Sequence, residues 1–117
     1  DGLMAAGSVA PGRYAQAIAA IYGREAARLG AAGDWLAAAA LAEEGAAKAP
    51  GDGSLSRAAA SMRRNFVIVS HNAFAALYNA GDYAGARAAA EAALESAPGD
   101  ATLLRDLEAA AAKAARR

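Results

Sequence analysis

Few side chains in this sequence could do chemistry, and their spacing argues against a reactive centre. His71 is the only histidine, and there is no cysteine. A general base or a metal ligand needs partners, and the acid nearest to His71 in sequence is Asp82. On a helix, His71 instead shares a side with Val67, Phe74 and Tyr78, at the edge of aromatic packing. Asp34, Asp52, Asp82 and Asp100 form a regular acidic series, but each stands where a helix should begin. Capping accounts for all four, whereas calcium would require several oxygens gathered from one short loop. Gly51-Asp52-Gly53 is too short for a phosphate cradle and lacks its lysine. Glu43 and Glu44 fall on the outer part of a helix, with Glu44 four residues before Lys48, so both read as solvated surface. The residues predict no catalysis, no cofactor and no bound metal.

Composition narrows the classes further. The chain has 117 residues with 12 basic and 12 acidic side chains, so no net field draws it to nucleic acid or to an anionic membrane. The basic end, Lys113, Arg116 and Arg117, reads as the complement of a helix dipole. No apolar run approaches the roughly 18–20 residues of a membrane-spanning helix. The hydrophobic fraction is 56%, most of it alanine, which forms helices well but adds little buried area. Closely stacked helices suit such a chain better than a core built to enclose a ligand. The lack of cysteine favours a reducing cytoplasm and leaves a periplasmic setting open. A start at Asp1 without methionine reads as a processed or excised piece.

The elements that must position any surface are written twice. Ala32-Gly33-Asp34-Trp35-Leu36-Ala37-Ala38 is followed by Pro50-Gly51-Asp52, and Ala80-Gly81-Asp82-Tyr83-Ala84-Gly85-Ala86 by Pro98-Gly99-Asp100. Subtracting Gly33 from Gly81, Trp35 from Tyr83 and Pro50 from Pro98 gives 48 each time. A fixed period in a helix-coded chain marks a repeat protein. Each copy predicts a hairpin corner: glycine ends one helix, aspartate caps the next, an aromatic ring wedges into the first turn, and proline stops the helix.

The expected fold is a single all-α domain, 1–117, of about five helices stacked as antiparallel hairpins. Its parts are a first repeat over 11–50, a second over 51–98 and a closing helix over 99–117. Residues 1–10 show no firm period. Helix 1 is expected from Pro11 to about Ala32, on a stripe of Tyr14, Ile18, Ile21, Glu25 and Leu29. Helix 2 carries Trp35, Ala38, Leu41, Ala42 and Gly45 and ends near Ala49. Helix 3 is expected as one rod from about Ser54 to Ala80, capped by Asp52 or Ser54, with Leu55, Ala59, Met62, Phe66, Val69, Ala73 and Leu77 on one unbroken stripe facing Tyr14, Ile18 and Ile21. Phe66-Val67-Ile68-Val69 has β-branched strand character, but the helical period passes through it and no second strand exists to pair with it. Helix 4 runs from Asp82 or Tyr83 to about Ala97, and Asp100 caps helix 5.

The corners resemble the tetratricopeptide repeat. In the first copy the matching positions are Gly33, Asp34, Trp35, Ala38, Ala42, Gly45 and Pro50; in the second they are Asn72, Gly81, Asp82, Tyr83, Ala86, Ala90, Ala93 and Pro98. The likeness covers roughly residues 19–104. It departs from the family at Tyr22, Glu25 and Ala26, and at Ser70, Ala73 and Phe74, where the family has an aromatic residue and a Leu-Gly pair. The period also exceeds the family's 34 residues by 14, about four helical turns, implying extended first helices.

The resemblance implies a right-handed superhelix whose first helices line a groove for partner peptides. Arg64, Ile68, Asn72, Ala75 and Asn79, with His71 beside them, would then face that groove. Asn side chains offer a donor and an acceptor to a peptide backbone at once. Two other readings stay open at this point: Asn72 bracing the next helix, and Ile68 packing on helix 1. The expected role is a non-catalytic module binding a partner protein or peptide. The alternatives are self-association through helices 1 and 5, or an accessory domain of a larger protein, enzymatic or membrane-anchored.

Overall fold

A computed structural model describes residues 11–51 and 53–116, and all regular structure in them is helical. The order is α1 Pro11–Ala31, α2 Trp35–Lys48, α3 Gly53–Asn79, α4 Tyr83–Ser96 and α5 Ala101–Ala115. The expectation of five helices and no strand holds among these residues, and Phe66–Val69 lies inside the 27-residue α3. The readings made for residues 1–10, for Asp52 as a cap and for Arg117 fall outside the described residues.

The two corners are the same object built twice. Gly33 has φ 87° and Gly81 φ 84°, the left-handed conformation that costs glycine nothing. At the first corner the Asp34 amide donates to the Leu29 carbonyl and the Gly33 amide to that of Gly30; Asp82 to Leu77 and Gly81 to Tyr78 repeat the pattern. These are paired Schellman bonds, which satisfy carbonyls left open at the helix end. Each following aspartate accepts from an amide three residues on: Asp34 from Ala37 at 3.3 Å, Asp82 from Gly85 at 2.9 Å and Asp100 from Leu103 at 3.0 Å. Ala49 and Ala97, each just before a proline, leave the helix at φ −133° and −139°, as the proline ring demands.

Packing forms two compact units, one ending at Arg63 and one beginning at Arg64. In the first, Ala26 of α1, Ala38 and Ala42 of α2 and Ala59 of α3 form the core, with Leu29, Ala58 and Met62 against it. In the second, Phe74 of α3, Ala86 and Ala90 of α4 and Ala110 of α5 do so, with Leu77, Tyr78 and Leu107. The 48-residue offset maps Ala26 on Phe74, Ala38 on Ala86, Ala42 on Ala90 and Met62 on Ala110. Small Ala26 meets large Met62 in one unit, and large Phe74 meets small Ala110 in the other, a volume-conserving exchange of the kind cores tolerate. Leu55 and Leu103, also equivalent, are 1% and 0% exposed.

Here the expected unbroken stripe of α3 needs correction. Leu55 and Ala59 are buried, but Val69 and Ala73, which share their phase, are exposed. In the second unit the buried residue is Phe74, one position further round. The reason is that α3 serves two units: its first half packs with α1 and α2, its second with α4 and α5, and each half turns its own face inward. The partner stripe on α1 is likewise displaced. Tyr14 and Ile21 are half exposed, and the first half of α3 meets Ala26, Leu29 and Gly30 instead.

Close approach decides two small residues. A Cβ on Gly45 would lie 2.7 Å from Tyr22 Cβ and 2.8 Å from Leu55 Cδ1, so α2 can sit against both neighbours only without a side chain there. The equivalent residue in the second unit is Ala93, and its neighbour Ser70 replaces the bulk of Tyr22. Glu43 and Glu44, expected as free surface, both bind: Arg63 makes two 2.7 Å hydrogen bonds to Glu43, and the Tyr22 hydroxyl donates to Glu44 at 3.2 Å. Arg63 beside Glu43 holds that carboxyl below its ordinary range, chiefly through the hydrogen bond.

Two outcomes follow. Gly45→Ala should lose about 1–3 kcal/mol of stability in urea unfolding through overpacking, whereas Ala93→Gly should lose only about 1 kcal/mol from helix propensity. Equal losses would remove the close-approach argument. The Arg63–Glu43 pair is half exposed, so its contribution should be at most about 1 kcal/mol. A carboxyl lowered on folding adds stability at neutral pH that is lost as pH falls. The melting temperatures of wild type and Glu43→Gln should therefore differ at neutrality and converge in acid.

Candidate functional site

The second half of α3 carries the residues singled out from the sequence, all within the second unit. At 100° per residue, Arg64, Ile68, His71, Asn72, Ala75 and Asn79 span an arc of about 100°, and along the axis they cover about 22 Å. Arg64, Ile68, Asn72 and Asn79 are exposed, and His71 and Ala75 are half-buried along one edge. Ile68 is 49% exposed. The core residue Phe74 sits about 110° round from the middle of this stripe.

His71 marks the side on which α5 lies. Its Nδ1 is 2.8 Å from Asp106 Oδ2, with the imidazole 43% and the carboxylate 9% exposed. Asp106 is the buried charged residue among those described. A buried carboxylate is costly unless hydrogen-bonded, and this ring supplies the bond. The ring also stacks near Phe74 at 6.2 Å. From there aromatic contacts continue, Phe74 to Tyr78 at 5.4 Å and Tyr78 edge-on to Tyr83 at 5.1 Å, with Lys113 Nζ 5.7 Å above the Tyr83 ring. Trp35, the counterpart of Tyr83, instead lies against Gly30, where the second unit has Tyr78.

Sequence reasoning missed Asp106 because it looked for an acid close in sequence, and this one is 35 positions away. The signal lay in the repeat itself. His71 aligns with Gly23 and Asp106 with Ala58, so a donor and an acceptor entered the second copy together at two positions that are small in the first. The pair is an oriented imidazole, which is also the start of a hydrolytic constellation. Ser70, the neighbouring hydroxyl, lies on the opposite flank of α3 with Phe66 and Ala73. Among the described residues, no group of three His, Cys, Asp or Glu side chains is placed to hold a metal ion, and no helix is long and apolar enough to cross a membrane.

Compared with known proteins, the chain matches no family model, no curated protein and no solved structure.

The pair makes an asymmetric prediction. His71→Ala strands a buried carboxylate and should cost about 1–3 kcal/mol. Asp106→Ala leaves a half-exposed ring that water can serve, and should cost less in the same denaturation assay. The reverse order would mean that the carboxylate is not held by the ring.

Proposed function

We propose that this chain is a non-catalytic interaction module, a tetratricopeptide-like array that holds a segment of a partner protein against the exposed stripe of α3. The observation that carries the reading is the stripe: Arg64, Ile68, Asn72 and Asn79 stay exposed on one face of a helix whose adjacent face is packed. Its chemistry suits a peptide. The two asparagines can bond a backbone in either sense, Ile68 offers apolar area, and Arg64 offers a fork for a carboxylate. His71, fixed through Nδ1, leaves Nε2 to a bound chain. The resemblance of the corners to the tetratricopeptide family supports the same role.

The test is a peptide-display selection against the folded domain, followed by titration of the selected peptides into variants. Ile68→Asp and the double variant Asn72→Ala/Asn79→Ala should weaken binding about tenfold or more with little change in melting temperature. Peptides that bind these variants as tightly as wild type would remove the stripe as the site. A second reading, self-association through the outer helices, is favoured by one observation: Tyr14 and Ile21 on α1 and Leu104 on α5 are each about half exposed. Light scattering that shows a dimer, lost on Ile21→Lys or Leu104→Lys, would support it.

A further inference from the structure

Asp106 fixes more than the angle of the His71 ring. At 2.8 Å, a hydrogen lies between Nδ1 and Oδ2. When the pair holds a single proton, that proton occupies the contact, and Nε2 is left bare as an acceptor. When the pair holds two, one still occupies the contact and the other must sit on Nε2. This is so whether the shared proton belongs to the ring or to the carboxylate. Gaining one proton therefore turns Nε2 from an acceptor into a donor, and the pair loses its negative charge. The first repeat has Gly23 and Ala58 at these places and no such pair.

Building on the α3 stripe as the binding face, we propose that its occupant is an acidic segment of a partner protein, held more tightly once this proton is gained. Charge selects that occupant. In its 27 residues α3 carries Arg57, Arg63 and Arg64 and no aspartate or glutamate. Arg63 is engaged by Glu43, but Arg64 makes no ion pair with a described residue, and neither does Arg105 of α5. Arg64 and His71 are seven residues apart in sequence, about 10 Å along the axis and almost in line. A chain laid along α3 therefore meets a guanidinium and then Nε2. A bare Nε2 backed by the Asp106 carboxylate repels an incoming carboxylate, whereas a protonated Nε2 donates to it. Of the other charged groups on α5, Arg105 is about 100° and Glu108 about 160° round from Asp106, and Lys113 lies over Tyr83. On α4, Arg87, Glu91 and Glu95 are exposed, the first two paired with each other. Asp82 and Asp100 are engaged as helix caps, and Tyr78, on the ring's own side of α3, packs against Phe74 and Tyr83.

The probe is end-capped hexa-aspartate, titrated into the isotope-labelled domain at about pH 8 and about pH 5.5, a window that spans ordinary imidazole and lies above ordinary carboxylates. Before the probe is added, the imidazole resonances at the upper pH should show a protonated Nδ1 and a bare Nε2. On titration, amides of Arg64, Ile68, His71 and Asn72 should shift saturably, with Kd about fivefold or more lower at the lower pH. Capped hexalysine should leave them in place. Arg64→Gln should weaken binding at both pH values and keep their ratio. His71→Gln, whose amide donates at any pH, should bring the ratio close to one. If that variant does not fold, the wild type carries the same test, because binding and protonation are reciprocal: saturating hexa-aspartate should raise the pH at which Nε2 gains its proton. A protonated Nε2 beside a bare Nδ1 at the upper pH, equal affinity at both pH values, an unmoved transition, or hexalysine bound as tightly would each overturn the proposal. Display-selected peptides that shift the stripe where hexa-aspartate does not would overturn the acidic occupant and leave the binding face standing. Selected peptides and hexa-aspartate that both shift only other residues would remove the face as well.

Discussion

A helix whose inner face is alanine gains almost nothing from packing at ordinary distance, because each methyl covers little surface. It becomes stable only when the backbones themselves come close and cover one another. In this protein α2 and α4 are such helices, with Ala38, Ala42 and Gly45, and Ala86, Ala90 and Ala93, turned inward. Everything larger is arranged around that approach. Leu55 and Leu103 fill the ends of the contact, and bulk is traded between Ala26 and Met62 or between Phe74 and Ala110 so that the helices are not forced apart. The corners serve the same requirement. A Schellman turn followed at once by a capping aspartate reverses the chain in three residues, short enough to keep successive helices in contact.

The elements were legible because local rules write them. Glycine, aspartate and proline each force the backbone at one position, and the copy 48 residues on confirms every assignment. The faces were less legible. Val69 and Ile21 look like core on periodicity alone, yet both are about half exposed. Periodicity identifies residues that share a side of a helix, but it cannot say which side has a neighbour when one helix answers to different neighbours along its length. His71 and Asp106 were hidden for a related cause: their meeting depends on α3 and α5 lying side by side, which no short-range pattern encodes. Conversely, the exposed positions of Arg64 and Asn79 were readable, since polar residues at helical spacing on a packed helix have only solvent to face.

Two repeats alike chiefly at their corners also let one copy explain the other. Gly23 and Ala58 beside His71 and Asp106, or Tyr22 and Gly45 beside Ser70 and Ala93, are paired changes in which each member makes sense of its partner. The corners repeat their bonds while the side chains between them exchange bulk, charge and hydrogen bonding two at a time.

The continuity of α3 has a consequence for how such a chain can grow or be cut. Its turns, at 32–34, 49–51, 80–82 and 97–100, all fall inside the compact units, and the division between units at Arg63 and Arg64 falls in the middle of a helix. No loop separates one unit from the next. A further unit can be added only by splicing within a helix, and the splice must carry a whole period or the following face turns away from its own core. Lengthening this array is therefore a matter of helical phase, since one residue gained or lost within α3 turns the face that follows on that helix by about 100°.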